Sequence, residues 1–372
     1  MTSAPTVSRE QVLAHRVRTH GLDRTARDPD DLAIVDLGVQ DSPTGTAVQT
    51  LAARLPVGRT PVTIPDDWVL VWSVRGAPHY HRRSDLLGLS RALWPLDGPD
   101  AGARMGGIAP ELKKAGTDPL EALHAAAEAM AGVVTAPMSK GDASTDLTKV
   151  APAEVTAYCR GCRVVHIQDQ VMRLSGLPSG TRLVPGSSPL ELAPIPRWKG
   201  VPDRHDGGGL IVDGYLRVHG PATPGEVAAN IGTTQRAVKP DWPDGLAEVR
   251  VEGRKAWLPE DQLDDLLTAP PADLVRLLPR SDPWLLARDR ELVVPGKAHR
   301  KVLWPMLGHP GGLLVDGEIA GAWRTKGSGK RLDVTVELFA KLPAAARTAV
   351  EEEAAVVAGV RGFDDARVSF DG

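Results

Sequence analysis

Two cysteines and a histidine stand close together in this chain, as Cys159-Arg160-Gly161-Cys162 followed by His166. A Cys-x-x-Cys pair with a nearby His can supply three ligands to zinc. The sequence has no other cysteine, so a fourth would be a distant His, Asp or Glu, or water. A redox dithiol is the weaker reading, since no thioredoxin-like order of strand and helix surrounds the pair. Two semi-buried cysteines beside a packed His, without metal, fit the same residues. Zinc is the one cofactor these residues suggest, and nothing else in the chain requires one. Basic side chains form the other candidate sites. From Lys297 to Arg331, Lys297, Arg300, Lys301, Arg324, Lys326, Lys330 and Arg331 stand against only Asp316 and Glu318, a balance of +5 excluding His. Thr325 to Lys330 reads as a Gly-rich basic loop between strands, suited to phosphate contacts or to probing a groove, although a solvated hairpin tip has the same composition. A second patch joins Arg75, Arg82 and Arg83 to His79 and His81. Tyr80 between the histidines could stack on or wedge a displaced base, and an ordinary exposed turn would look the same.

The elements that would hold these groups repeat an order of three helices and a hairpin. The clearest copy runs from Gly209 to Pro259. An apolar helix, Leu210 to His219, ends at Gly220. A second begins after Thr223, with Pro224 at its first position and Glu226 completing a capping box. Gly232 stops it, and Thr233-Thr234 cap a short third helix carrying Gln235, Arg236 and Lys239, the geometry that puts a helix into a DNA major groove. Val249 and Val251 then alternate with charged residues, Gly253 turns the chain, and Lys255 to Leu258 return, so this "wing" carries Arg250, Arg254 and Lys255. A helical scaffold with a capping hairpin would share the pattern.

A first copy covers about residues 8 to 81. Ser8 with Gln11 opens a helix to His20, Pro29 opens a second to about Leu37, and Ser42-Pro43 opens a third to Leu55. Pro65 ends the linker, Trp68 to Val74 forms a strand, Arg75-Gly76 turns, and Pro78 to His81 continue outward. In a weaker second copy, Pro119 to Val134, Lys140 to Lys149 and Ala153 to Tyr158 are the helices, and the Cys-x-x-Cys turn with Val164-Val165 stands where the wing begins. Leu177 to Gly209 reads as a connector with little regular structure. From Asp273 onward the expectation is an α+β tail: strands from Gly311 to Arg324 around an Asp316-Gly317 turn, a third from Arg331 to Leu338, and a closing helix from Leu342 to Val360. The fold class is therefore α+β, tandem winged helices with a C-terminal sheet. Its segments are 1–105, 106–200 with the Cys-x-x-Cys, 201–270, and 271–372 with the basic hairpin.

The 372 residues can bury a sizeable core, and a 42% hydrophobic fraction suits a globular protein. No apolar run nears the ~18 residues that span a bilayer, and the first residues lack the order of a signal peptide, so a cytoplasmic protein without a membrane partner is expected. A net charge of -3 excludes a strongly basic coat, which leaves nucleic-acid binding to local patches.

Six segments occur in an order that resembles a known family: Leu37-Gly-Val-Gln-Asp41, Arg75-Gly76 with His79, Gly220-Pro-Ala-Thr-Pro224, Asp282-Pro-Trp-Leu-Leu286 with Arg288-Asp-Arg290, His299-Arg-Lys301, and Pro310-Gly311 through Val315-Asp-Gly317 to Trp323-Arg324. They look like the bacterial winged-helix DNA-binding family that includes the AlkZ/YcaQ-like DNA glycosylases. The resemblance implies tandem winged helices around a concave basic surface, duplex DNA as partner, and excision of alkylated bases, including bulky and crosslinked adducts. It also implies a catalytic motif of Gln, an apolar residue, then Gln or Asp between two N-terminal helices. Gln40-Asp41-Ser42 stands there and departs from that spacing: counted from Gln40 the second position is Ser42, and counted back it is Gly38, with Asp41 filling the role from a shifted place.

Glycosidic cleavage builds positive charge on the sugar and needs a carboxylate or amide to steady it and to orient water, both within reach of Gln40 and Asp41. Asp41 and Ser42 could equally be mere caps of the following helix. The leading reading is a glycosylase-like repair protein acting on alkylated or crosslinked bases. A non-catalytic lesion sensor or resistance factor on the same scaffold is a second, and a transcription regulator reading sequence through Gln235, Arg236 and Lys239 is a third.

Overall fold

Alternation from Arg331 to Leu338 builds an inner strand of the largest sheet. In this computed structural model, which describes residues 4–58 and 62–371, Leu332, Val334 and Val336 are fully buried between strand neighbours while Thr335 and Glu337 face outward. Residues 1–3 of the N-terminal stretch, 59–61 in the linker before Pro65, and Gly372 of the C-terminal segment lie outside the described residues. The sheet runs Val275–Leu278, Gly311–Val315, Glu318–Ser328, Arg331–Leu338, each antiparallel to the last, with Asp365–Asp371 added parallel at the edge. A parallel neighbour needs a crossover, and the helix Ala344–Val360 supplies it. Val350, Ala354, Val357 and Ala358 recur at helical spacing and pack on Leu277, Leu313, Trp323 and Leu332. On another core, Leu314 and Ile319 meet Trp284, Leu285 and Leu303, with Leu13, Val17 and Leu22.

The expected turns are where residue type demands them. Asp316 and Gly317 have φ of +50° and +84°, and Glu252 and Gly253 have +48° and +80°, the two-residue hairpin turns whose twist matches the strands they join. Ser8 and Gln11 form the expected capping box, with Gln11 N–H donating to Ser8 Oγ at 3.2 Å and Ser8 N–H to Gln11 Oε1 at 2.9 Å. The helix they open is Arg9–Thr19.

The chain forms two compact units: Met1–Pro65, Asp213–Glu226 and Asp244–Gly372 in the first, Asp66–Val212 and Val227–Pro243 in the second. Their boundaries do not coincide with four consecutive segments. The first unit also holds the sheet of Thr6–Val7 beside the hairpin Leu246–Val251 and Arg254–Pro259. The second holds the hairpin Trp68–Trp72 and Pro78–Arg82, a helical set centred on Pro119–Val133, and two smaller β elements. Helices Gly209–His219, Pro224–Ile231 and Gln235–Val238 precede the hairpin in the expected order, but Gln235–Val238 belongs to the second unit and the hairpin to the first.

Four local expectations are corrected. Ala153 to Tyr158 is a 3-10 turn and then the strand Thr156–Cys159, because its edge pairs with Val164–Ile167 and tertiary pairing outweighs local helix preference. The stretch from Leu177 contains the strands Thr181–Leu183 and Glu191–Pro194, which join Met138–Ser139 in a sheet. Pro29 opens only a 3-10 turn, and a separate short helix spans Ile34–Leu37. Thr325 to Ser328 is strand rather than loop, so Lys330 sits at a hairpin tip.

Candidate active site

Gly38, at φ +83°, ends the helix Ile34–Leu37 and feeds the short strand Val39–Gln40; a side chain there would be strained in the left-handed region. Asp41 follows and turns back on the next helix, Thr46–Ala52. Its Oδ1 accepts the Ala47 N–H at 3.0 Å, and the Gly45 and Thr46 amides also act on it. Asp41 thus caps a helix from six residues away. Ser42 does not cap it: the N-cap position is Gly45, and Thr46 Oγ1 donates to the Pro43 carbonyl at 2.8 Å. Burial pushes the Asp41 carboxyl above its usual range, and the three amides pull it partly back. Beside it, Gln40 Oε1 is buried with no hydrogen-bond partner among the described residues. A buried acceptor in that condition is costly unless a donor, such as water or substrate, reaches it.

The far end of the same helix is anchored in the interior. Arg54, fully buried, holds fully buried Asp282 through two bonds of 2.7 and 2.8 Å and donates to the carbonyls of His20 and Thr50. Asp282 also accepts the Trp284 N–H at 2.9 Å. The Asp282-Pro-Trp segment therefore fixes the helix whose start Asp41 caps. Other segments that carry the resemblance are structural too: Asp289 pairs with buried Arg16 at 2.6 Å, Arg290 lies 4.8 Å over the Trp304 ring, and His299 stacks on Phe339.

The basic residues separate on inspection. In the first unit Arg254, Lys301, Arg324 and Lys326 are exposed, with Arg324 donating to the Gly308 carbonyl. Arg300 is tied to the Val294 and Pro295 carbonyls and to Glu291, Lys330 pairs with Asp364 at 3.2 Å, and Arg331 pairs with Asp333. In the second unit Arg75, at φ +56°, donates to the Asn230 carbonyl at 2.6 Å, Arg82 pairs with Asp85, and Arg83 donates to the Pro196 carbonyl. Arg236 is held by Asp97 through bonds of 2.7 and 2.9 Å, and Lys239 is exposed.

His79 and Tyr80 are 4% and 6% exposed, which corrects the expectation that they form a surface patch: the strand Pro78–Arg82 turns three successive residues into the interior. His79 and His81 both meet the Ser73 hydroxyl, at 2.9 and 3.0 Å. Burial pushes each imidazole down to about 3, so both are neutral near pH 7. No sequence spacing announces this Ser-His-His group. Glu226 and Asp289 were also missed as a pair; with Arg9, Thr223, Arg254 and Lys255 they line a cavity of about 360 Å³ in the first unit. Burial and the Asp289 charge push Glu226 up, although it also makes the expected capping box with Thr223. In the second unit Cys159, Cys162 and His166 do converge, their ligand atoms all within 4.8 Å of one another.

A capped helix start, with an amide oxygen beside it that has no partner among the described residues, is carried in a mixed α+β fold with several small sheets. The family model described as DNA glycosylase AlkZ-like matches residues 36–360, and the chain belongs to that family. An interstrand DNA cross-link repair glycosylase of Streptomyces sahachiroi is 28% identical over 173 residues, 44% of this chain and 46% of that protein. The sequence match thus spans about half the length of that relative. The solved structure of the Streptomyces sahachiroi DNA glycosylase AlkZ matches with a TM-score of 0.74 over 98% of this chain and 100% of that one, at 21% identity, a likeness of fold. Among the described residues no helix is long and apolar enough to cross a membrane.

Proposed function

We propose that the protein is a monofunctional DNA glycosylase of the cytoplasm that hydrolyses the N-glycosidic bond of alkylated or crosslinked bases in duplex DNA. The observation that carries this reading is Gln40: a buried amide oxygen without a partner among the described residues, next to the capping carboxylate of Asp41, within a chain of the AlkZ-like family. In this reading Gln40 accepts a hydrogen bond from the attacking water, and Asp41 steadies the positive charge that grows on the sugar. Ser42, half-exposed, follows them in the chain. The helix-helix-helix-hairpin stretches act as winged helices that hold the duplex, with Arg254, Lys301, Arg324, Lys326 and Lys239 on phosphates and Lys330, Arg331, Arg300, Arg75, Arg82 and Arg83 joining where their present partners give way.

A base-excision assay on duplex carrying N7-alkylguanine tests the proposal. Alkali-labile abasic sites are expected from wild type, with a loss on the order of 10²-fold or more in Gln40→Ala. No strand breakage above the protein-free control with the wild-type chain sinks the enzyme claim.

The use of Asp41 as a helix cap and the shifted motif favour a second reading, a DNA-binding lesion sensor or resistance factor without turnover. It predicts salt-dependent duplex binding and no abasic sites, so turnover separates the two. Sequence-specific regulation is the least supported, because Arg236 is occupied by Asp97 and Gln235–Val238 is only one helical turn.

A further inference from the structure

The hairpin Thr156–Cys159 and Val164–Ile167 stands apart from the proposed glycosylase chemistry and carries three donor side chains at one end. Cys159 closes the first strand, Cys162 lies in the turn, and His166 is on the return strand opposite Ala157. Three features of this hairpin are those of a metal knuckle. First, the two sulfurs and the imidazole nitrogen already lie within 4.8 Å of one another. In a tetrahedral site with Zn–S of about 2.3 Å and Zn–N of about 2.0 Å the ligand atoms stand roughly 3.5–3.8 Å apart, so only a small closure is needed. Second, the turn aims backbone donors at sulfur. The Cys162 N–H points to Cys159 Sγ at 3.5 Å, the Arg163 N–H closes onto the Cys159 carbonyl at 2.7 Å, and Arg163 takes φ +58°. A non-glycine residue in the left-handed region is disfavoured, and here it stands where the turn leads into the return strand. Third, His166 Nδ1 is engaged by the Ile167 carbonyl at 2.6 Å. That bond fixes the tautomer with Nδ1 protonated and leaves Nε2 as the ligating nitrogen, the outer-shell arrangement that zinc-bound histidines use.

We propose that Cys159, Cys162 and His166 bind one zinc ion, with water in the fourth position. No fourth His, Cys, Asp or Glu joins the group among the described residues. The ion ties together the outer end of a surface hairpin: Tyr158, Val164 and Val165 there are 62%, 54% and 56% exposed, so hydrophobic burial contributes little at that end, whereas Ile167 at the base is buried and bonded to Thr148. Two thiolates and a neutral imidazole suit zinc over calcium or magnesium, which take oxygen ligands. The residues lie in the second unit while Gln40 and Asp41 lie in the first, and the zinc site does not depend on glycosylase activity.

The test is metal analysis of the purified full-length protein, with cobalt(II) exchanged for zinc as a spectroscopic probe. One equivalent of zinc per chain is expected, together with thiolate-to-cobalt charge-transfer absorption and the visible bands of a tetrahedral site. Cys159→Ser and Cys162→Ser should each lose the metal or at least half of the charge-transfer intensity, and His166→Asn should shift the visible bands while keeping charge transfer. Circular dichroism and duplex binding should stay at wild-type levels in all three, which guards against loss of metal through unfolding. A metal-free wild-type protein prepared with zinc present, a Cys159–Cys162 disulfide found by mass spectrometry under those conditions, or zinc that survives in the Cys159→Ser/Cys162→Ser double variant each overturns the proposal.

Discussion

Asp41 shows how one side chain can hold a structural and a chemical role, and how the two can be parted. Its carboxylate accepts the Ala47 amide at the start of the helix that follows Gln40. Asn serves about as well as Asp at a helix start, whereas Ala forfeits the cap at a cost of about 1 kcal/mol. Asp41→Asn should therefore melt within a degree or so of wild type and still lose base excision on the order of 10²-fold, while Asp41→Ala loses both activity and stability. Undiminished excision by Asp41→Asn would confine the residue to capping. The sequence showed Gln40 and Asp41 as candidates but read Ser42-Pro43 as the helix opening, because known capping patterns span three residues and this one spans six. Arg54 makes the complementary case at the other end of that helix. It and Asp282 are both without exposed surface, so Arg54→Ala leaves a buried, unpaired carboxylate. Such losses cost about 3–5 kcal/mol, and urea unfolding should show a correspondingly lower midpoint. Nothing in local sequence marks a partner 228 positions away.

Elements were legible where turn chemistry and alternation agree. Val315-Asp316-Gly317-Glu318 and the strand Arg331–Leu338 lie where the pattern places them, and so do the helix Pro119–Val133 and the hairpin ending at Arg82. Thr156–Cys159 was misread because Ala153-Glu154-Val155 favours helix and the strand owes its form to its partner. Asp365–Asp371 was overlooked altogether, although Ala366, Val368 and Phe370 alternate, since its parallel partner comes before an intervening helix. The basic hairpin Glu318–Leu338 gives an element-scale prediction. Each phosphate contact contributes about 0.9 to the slope of log affinity against log salt. Lys326 is exposed and makes no ion pair among the described residues, whereas Lys330 already faces Asp364. Lys326→Ala should lower the slope for duplex binding by about 1, and Lys330→Ala by less. Equal slopes in wild type and Lys326→Ala would take this hairpin off the DNA.

At the scale of the molecule, the split into two units that the chain enters more than once was not readable, because it depends on contacts between segments distant in sequence rather than on periodicity. Both units share one property with a measurable consequence. Burial pushes His79 and His81 of the second unit and His219 of the first down to about 3, and His15 of the first to about 4. In the unfolded chain a histidine titrates near 6.5, so below that pH the unfolded state takes up protons that the folded state refuses. Folded-state pKa values below the unfolded value mean that this stability is fully present above about pH 6.5 and is lost as pH falls toward 3–4, by up to about 1.4 kcal/mol per pH unit for each histidine. Four such groups against a total stability of about 5–15 kcal/mol should bring acid unfolding well before the carboxylates are all protonated. Thermal melts should be nearly flat from pH 7 to 8 and fall steeply from pH 6 to 4.5. His81→Asn, which keeps a polar contact for Ser73 but cannot be protonated, should shallow the acid limb by about one proton's worth. A limb of unchanged slope in His81→Asn, with the protein folded at pH 7.5, would assign the acid sensitivity to other groups.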